Sequence, residues 1–113
     1  MTIQNGKKWL VPSLTPLISI DKAIAEIQTI SESSARHWAQ TRIWGSGVTV
    51  RPLAELYSKR LGIEIPIAPM IPQVRPGDEL LVGVVIHPRH ITPEIVGKDW
   101  RRVAIRWLLV KVR

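Results

Sequence analysis

The sequence contains no cysteine. Disulfide bridges, thiolate metal sites and cysteine nucleophiles are therefore all excluded. Histidine is scarce as well, and His37, His87 and His90 form neither an HxxxH nor an HxH pair, so a zinc site is not indicated. We expect a protein that works without a metal ion or another cofactor.

Long apolar runs are also missing. No stretch approaches the ~18 apolar residues that are needed to span a bilayer. Lys7 and Lys8 precede an apolar segment as in a signal peptide, but Pro12 and Pro16 interrupt that segment and no small-residue cleavage site follows. The sequence therefore predicts a cytoplasmic protein with no membrane partner.

Positive charge is what the sequence has in excess. Sixteen lysines and arginines against nine aspartates and glutamates give a net charge of +7 in 113 residues. Such a surface attracts phosphates, nucleic acid, anionic lipid or acidic protein, although a basic composition can also serve solubility alone. The length fits one domain, residues 1–113, that can bury a core of its own.

Four segments carry helix signals. Apolar residues at spacings i, i+3, i+4 and i+7 predict a helix over residues 20–29, and a second apolar face predicts a helix over 50–61 with Thr49 as its N-cap. A further helix is predicted over 33–41. Thr92, followed by Pro93 and Glu94, predicts the start of a short helix.

Strand signals lie between these helices. The apolar runs at 9–11, 79–87 and 103–112 predict three strands, of which 79–87 is apolar enough to be central. The isoleucine- and proline-rich segment 63–72 predicts a strand followed by an irregular extended stretch. The sequence thus predicts an α/β fold: a single compact domain with a mixed sheet of about four to five strands flanked by helices.

The strongest candidate for chemistry is the segment His87-Pro88-Arg89-His90, which follows the predicted central strand. Strand ends are where α/β folds place ligand groups. The imidazoles of His87 and His90 can exchange a proton near neutral pH, and the Arg89 guanidinium can hold a phosphate. The alternative is an exposed loop that happens to be basic.

Three further positions are weaker candidates for ligand contacts. His37 contacts a phosphate or simply occupies the exposed side of its helix. Ser46, in Gly45-Ser46-Gly47, either presents backbone N–H groups to a phosphate ahead of the next helix or lies in a plain flexible turn. Arg51, which lies off the apolar face of the helix predicted over 50–61, is the third candidate for a ligand contact.

A basic stretch with interleaved aromatic residues precedes and enters the last predicted strand. It contains Lys98, Trp100, Arg101, Arg102, Arg106 and Trp107. Cationic and aromatic side chains together can contact phosphates and stack on bases, which makes a DNA- or RNA-binding protein an alternative function. We expect Trp100 to be more exposed and Trp107 to be buried.

The order of these elements also resembles a known family. The resemblance covers residues 8 to 112 and rests on these segments: Ala54-Glu55-Leu56, Ser58, Leu61-Gly62, Pro66, Pro76-Gly77-Asp78-Glu79-Leu80 and Ile91-Thr92-Pro93-Glu94-Ile95. In this order the chain is similar to the small viral anti-CRISPR ring nucleases and their bacterial CRISPR-associated relatives.

The resemblance implies a homodimer that binds cyclic oligoadenylate, the second messenger of type III CRISPR defence, across its two-fold axis. It implies cleavage without a metal, in which a ribose 2′-hydroxyl attacks the adjacent phosphate and a protein acid protonates the leaving 5′-oxygen. Ser13 and Thr15 correspond to polar ligand contacts, and Arg89 lies near the basic turn of the family.

One position departs from the family pattern. The Gly-His at the start of the helix over 50–61 is absent, because Thr49 and Val50 stand there. Either His87, His90 or His37 supplies the acid instead, or the protein binds the messenger without cutting it. The sequence thus predicts a ring nuclease and leaves a messenger-sequestering protein as an alternative.

Overall fold

The computed structural model describes residues 6–19, 24–86 and 91–113. Within these ranges the chain forms five strands: β1 (Lys8–Val11), β2 (Ala25–Ile30), β3 (Gly45–Ser46), β4 (Glu79–Val85) and β5 (Ile105–Val112). It also forms three α-helices, α1 (Glu32–Thr41), α2 (Arg51–Leu61) and α3 (Pro93–Lys98), and two 3₁₀ turns, at Thr15–Ser19 and Trp100–Arg102. The predicted α/β fold is confirmed.

All five strands join one mixed sheet in the order β2-β5-β4-β1-β3. The strands β1, β3 and β4 are parallel, whereas β5 pairs antiparallel with both β4 and β2. The predicted central strand is indeed interior, because β4 is hydrogen-bonded on both sides. It carries buried residues from Leu80 to Gly83, as expected for a strand that is covered on both faces.

The helix predicted over residues 20–29 is wrong for its described part. Residues 25–30 instead pair with β5 in an unbroken register from Ala25 opposite Val112 to Ile30 opposite Trp107. The helical spacing of Ile24 and Ile27 creates no packed face, since these side chains are 72% and 52% exposed. Pairing with a distant strand has outweighed the local apolar pattern. Residues 20–23 lie outside the described ranges.

The three α-helices cover one face of the sheet. Their buried residues, among them Trp38, Leu56 and Val96, form one core cluster with Leu81 and Trp107 from the sheet. The helix predicted over 33–41 is α1, which Ser31 caps by accepting a hydrogen bond from the Ser34 N–H. The apolar face predicted for α2 is likewise buried.

A glycine lets the helix layer approach the centre of this face. A Cβ atom on Gly83 would lie 2.7 Å from the Trp107 ring and 3.1 Å from Tyr57. The two rings pack at a centroid distance of 5.5 Å, and the Tyr57 hydroxyl donates a hydrogen bond of 2.5 Å to the Gly83 carbonyl. Burial raises the pKa of Tyr57 above its usual range. The middle of the sheet therefore accepts no larger residue here.

The second face of the sheet has a thinner cover. Its buried cluster contains Val11, Leu80, Val82, Val110 and Val112 from the strands and Val74 from the segment that precedes β4. Leu17 in the first 3₁₀ turn, and Leu14 just before that turn, pack against this cluster. No α-helix in the described part of the chain packs on this face.

The segment 63–74 is extended and irregular, as its prolines predicted, but the strand expected at its start is absent from the described structure. It returns from the end of α2 to the β3 edge, where the Ala68 N–H donates to the Val48 carbonyl. Pro72 then lies against Gly47, since a Cβ there would come within 2.8 Å of its ring. The segment thus covers the β3 edge of the sheet.

Candidate functional site

The parallel strands bring several candidate residues to one edge of the sheet. The strands β1, β3 and β4 run in one direction, and β2 shares it because β2 and β4 are both antiparallel to β5. The segments that follow these four strands therefore leave from the same edge, which we call the carboxyl edge. In open α/β sheets, ligands bind at this edge.

Ser13 and Thr15 follow β1 at the carboxyl edge, and the structure brings their side chains together. The Ser13 hydroxyl donates to the Thr15 hydroxyl oxygen at 2.8 Å, and it accepts the Thr15 backbone N–H at 3.3 Å. Thr15 is exposed, and its own hydroxyl proton is free to point away from the pair. This loop can therefore offer a hydroxyl donor to a phosphate oxygen.

Ser46 ends β3 at the same edge. Its surroundings match neither prediction, that of free backbone N–H groups for a phosphate or that of a plain flexible turn. The Gly47 N–H donates to the Leu10 carbonyl at 2.7 Å, and the Val48 N–H donates to the Ser46 hydroxyl at 3.2 Å. These two N–H groups are already bonded within the protein. The segment is also no plain flexible turn, because a Cβ on Gly45 would lie 2.6 Å from the Trp9 ring.

Helix α2 begins shortly after β3 and offers a better anion site. Its N-cap is Val50, not the predicted Thr49, and no side chain caps it. The N-terminal N–H groups of a helix attract anions, and here no acidic side chain lies in the first turn to compete. Arg51 is exposed at this end and makes no side-chain bond to the described residues. A guanidinium and a helix N-terminus thus stand together.

The three predicted catalytic residues, His87, Arg89 and His90, lie outside the described residues. The chain on either side of them is placed, however. Ile86 follows β4 directly and donates its N–H to the Ala104 carbonyl at 2.9 Å, and Ile91 packs against the core under the helices. The segment that contains the two histidines therefore starts from the carboxyl edge.

A pocket of about 460 Å³ lies at the carboxyl edge between the end of β4 and the start of β5. Its wall consists of Val85, Ile91, Ile95, Asp99, Arg102, Val103 and Ala104. Among these residues, the sequence indicated a ligand contact only for Arg102, whereas Ile91 and Ile95 belong to a segment that carries the family resemblance. All seven lie within residues 85–104, where the chain passes from β4 through α3 to β5, and they form a pocket because this stretch folds back on the sheet.

Trp100, which follows the pocket residue Asp99 in the sequence, has two cations near its ring. The Arg101 guanidinium carbon lies 4.8 Å from the centroid of its ring, and the Lys59 ammonium lies 5.9 Å from it. Both distances fit cation–π contacts. Trp100 is half-buried whereas Trp107 is buried, which confirms the expected order of exposure.

The basic stretch does not form one continuous surface. Trp107 faces the helix layer, so Arg106 points to the opposite face of the sheet, because neighbouring residues of a strand alternate. Lys98 lies on α3, 3.7 Å from Glu94, in a largely exposed ion pair. Only Arg101 and Arg102 remain with Trp100 at the second 3₁₀ turn.

His37 lies away from the carboxyl edge. It is exposed on α1, and its neighbour Trp38 donates its indole N–H to Glu79 at 2.6 Å. Glu79 begins β4 and so marks the opposite edge of the sheet. The structure therefore does not bring His37 to Ser13, Thr15 or Arg51.

Metal-binding clusters and membrane-spanning helices are both absent from the described residues. Across residues 6–19, 24–86 and 91–113, no cluster of three or more histidines and carboxylates is arranged to hold a metal ion. None of the helices in these ranges has the length and apolarity that crossing a membrane requires.

Comparisons with known proteins give a likeness of fold. No protein-family model matches the chain, and no curated protein matches it. Among solved structures, the chain is similar to B116 of Sulfolobus turreted icosahedral virus, with a TM-score of 0.69 and 14% sequence identity. The match covers 94% of this chain and 99% of the viral one. The chain thus shares the fold of a small viral protein over nearly its whole length.

Proposed function

We propose that this protein is a homodimeric ring nuclease that binds cyclic oligoadenylate at the carboxyl edge and opens it without a metal ion. One observation carries the proposal: the Ser13–Thr15 hydroxyl pair, the uncapped start of α2 at Arg51 and the segment after β4 each follow a strand of the parallel set β1, β3 and β4, whose carboxyl ends lie at the same edge of the sheet. The element order that resembles ring nucleases, and the fold shared with a viral protein, support it.

In this proposal, phosphate binding falls to residues whose positions are described. The N-terminus of α2 and the Arg51 guanidinium hold one bridging phosphate, because fixed dipoles and a cation stabilise the charge that develops on its oxygens. A hydroxyl of the Ser13–Thr15 pair donates to a neighbouring phosphate or ribose. The net charge of +7 raises the local concentration of the anionic ring.

The chemical step needs only the substrate and protein acids and bases. The ribose 2′-oxygen loses its proton and bonds to the adjacent phosphorus, and the bond from phosphorus to the 5′-oxygen breaks. The leaving 5′-oxygen takes up a proton, which leaves a linear product with a 2′,3′-cyclic phosphate at one end and a 5′-hydroxyl at the other. His87 and His90 can serve as base and acid, and each such proton transfer contributes about 10²–10⁴ in rate.

A second candidate function is binding of single-stranded nucleic acid at the second 3₁₀ turn. The observation that favours it is Trp100, a half-buried ring beside the cations Arg101 and Lys59. An aromatic ring with adjacent cations is the usual means of stacking a base next to its phosphate. This function predicts affinity that falls steeply as salt is raised.

The test is to incubate the purified protein with cyclic tri-, tetra- and hexa-adenylate in EDTA and to separate the products by chromatography. We expect linear products with a cyclic phosphate end. Arg51→Ala should lower kcat/KM by about tenfold or more, since a charged contact to the transferring phosphate is lost. Intact rings after prolonged incubation with micromolar protein would reject the nuclease.

The matched control is Arg75→Ala. Arg75 is an exposed arginine whose backbone N–H bonds to Asp78, just before β4 begins and so at the opposite edge of the sheet. Both variants remove one positive charge, so a general effect of charge would lower both rates equally. Equal loss in the two variants would contradict a site at the carboxyl edge. Tight binding of a ring that is recovered unchanged would identify a sequestering protein.

A further inference from the structure

The pocket between β4 and β5 has a mostly aliphatic wall, which suits the apolar faces of a flat ring. Four aliphatic side chains line it, namely Val85, Ile91, Ile95 and Val103, together with Ala104. Its volume of about 460 Å³ falls within the range of small-ligand pockets. Val85, Ile91 and Val103 also pack against the core beneath the helices, so these walls are continuous with the core.

Two charged residues of opposite sign, Asp99 and Arg102, also line this pocket. Asp99 precedes the second 3₁₀ turn and Arg102 ends it, and the Arg102 N–H donates to the Asp99 carbonyl at 2.9 Å. The Asp99 side chain does not cap the turn. Neither side chain forms a hydrogen bond or ion pair with any residue in the described ranges. One acceptor and one donor are therefore free to bond a ligand.

We propose that this pocket binds the adenine base of a nucleotide. The base has apolar faces, which the aliphatic wall can cover, and an edge on which an exocyclic amine lies beside ring nitrogens that accept hydrogen bonds. The amine donates to the Asp99 carboxylate, which only accepts, and a ring nitrogen accepts from the Arg102 guanidinium, which only donates. A pyrimidine fills less of the wall, and a bare sugar phosphate has no flat faces to cover.

The pocket has a direct relation to the function proposed above. It lies at the end of β4, at the carboxyl edge, which is also the edge of the proposed phosphate contacts. If the bound base is part of the cyclic messenger, this inference rests on the proposed function. A free adenine nucleotide has the same chemistry, and the experiment separates these two sources.

The primary measurement is isothermal titration calorimetry with AMP, using GMP, CMP and ribose 5-phosphate as comparisons. We expect AMP to bind most tightly. Asp99→Asn, which turns half of the acceptor into a donor, and Ile95→Trp, which fills the pocket, should each weaken AMP binding at least about tenfold. Ribose 5-phosphate or GMP binding as tightly as AMP would overturn the proposal.

Two matched variants control for charge and for bulk. Glu94→Gln removes a carboxylate on α3 that pairs with Lys98 and does not line the pocket. Ile71→Trp adds the same indole at a side chain that is 52% exposed on the segment beside β3. Both should bind AMP as the original protein does. Circular dichroism establishes that each variant is folded, and Asp99→Asn keeps the test decisive if the filled pocket disrupts folding.

The same variants, assayed with cyclic tetra-adenylate, distinguish a failure of the pocket from a failure of the nuclease. If the protein binds AMP through Asp99 but leaves every ring intact, the adenine pocket stands and the proposed nuclease is wrong; calorimetry with the intact ring then separates a sequestering protein from one that binds only free adenine nucleotides. If rings are cleaved equally by Ile95→Trp and the original protein, the nuclease stands and the pocket does not hold its base. Loss of both AMP binding and ring cleavage in Ile95→Trp and Asp99→Asn assigns the pocket to the messenger.

Discussion

Arg60 and Glu32 join the end of α2 to the start of α1. The Arg60 Nη2 lies 2.6 Å from the Glu32 carboxylate, whose Oε1 also accepts from the Arg60 Nε and from the Trp107 indole. The Arg60 Nη1 donates to the carbonyls of Trp100 and Val103. One guanidinium, only 13% exposed, thus connects both long helices to the chain that enters β5 and to the wall of the pocket.

Loss of this guanidinium should destabilise the whole domain. Arg60→Met keeps an unbranched side chain and removes every donor, so the Glu32 carboxylate and two carbonyls lose a partner. We expect the free energy of unfolding to fall by about 2–4 kcal/mol, as measured by urea denaturation. The control is Arg113→Met, which breaks the exposed pair with Glu26 and should leave the urea midpoint unchanged. Equal shifts of the urea midpoint in both variants would contradict a stabilising role for the Arg60 network.

Two glycines make a matched pair for a packing test. Gly83→Ala places a Cβ 2.7 Å from the Trp107 ring in the middle of the sheet, and we expect a loss of about 1–3 kcal/mol. Gly97→Ala meets nothing within 4 Å, and it should stabilise the short helix α3 by about 1 kcal/mol. Thermal melts of the two variants check the opposite signs. A stable Gly83→Ala protein would contradict the tight contact.

Asp78 is the buried charged residue of the described chain, and its carboxylate organises the start of β4. It accepts the Lys7 N–H at 2.9 Å, the Trp9 indole N–H at 3.2 Å and the Arg75 N–H at 3.0 Å. Asp78→Ala leaves three donors without their acceptor, so we expect a loss of about 2–4 kcal/mol in urea denaturation. A loss under about 0.5 kcal/mol would show that water replaces the carboxylate at no cost.

The stability should fall at high pH because of Tyr57. Burial raises its pKa, so the folded protein keeps the phenol neutral at a pH where the unfolded chain ionises. The stabilisation is complete below the unfolded pKa of about 10 and is lost as the pH rises from there towards the folded pKa. Because the chain has one tyrosine, absorbance at the tyrosinate band reports this group directly.

We expect no tyrosinate signal at pH 10.5 in the native protein and a strong one in urea. Tyr57→Phe removes the hydrogen bond to Gly83 and should remove this part of the pH dependence, at a cost of about 1 kcal/mol near neutral pH. If Tyr57 ionised at the same pH in the native protein as in the unfolded chain, the burial of its hydroxyl would be contradicted.

The sequence predicted those parts of the fold that local chemistry decides. Three elements are each marked by a signal within about ten residues: the apolar face of α2, the start of α3 at Thr92 and the apolar run of β4. All three are confirmed. The strand β2 could not be found this way. Its conformation depends on pairs such as Ile27 with Val110, far away in the sequence, while its own isoleucine spacing imitates a helix.

The candidate site divides along the same line. The resemblance indicated Ser13 and Thr15, Arg51 lies off the apolar face of its predicted helix, and in the fold these residues follow β1 and β3, two parallel strands. The pocket at Asp99 was not foreseeable, because its wall residues, although all within residues 85–104, follow no periodic pattern that marks them as one surface. His37 shows the converse, because its residue type suggested a role that its position does not support.

The sheet order has a consequence for how the protein is made. No two strands that are neighbours in the described sheet are joined by a tight turn, and β2, the second strand to leave the ribosome, pairs only with β5, the fifth. Until β5 emerges, β2 has no partner and β4 lacks one of its two. Such long-range pairing slows folding and leaves apolar strands exposed in the meantime. We therefore expect the nascent chain to depend on chaperones until its fifth strand has been synthesised.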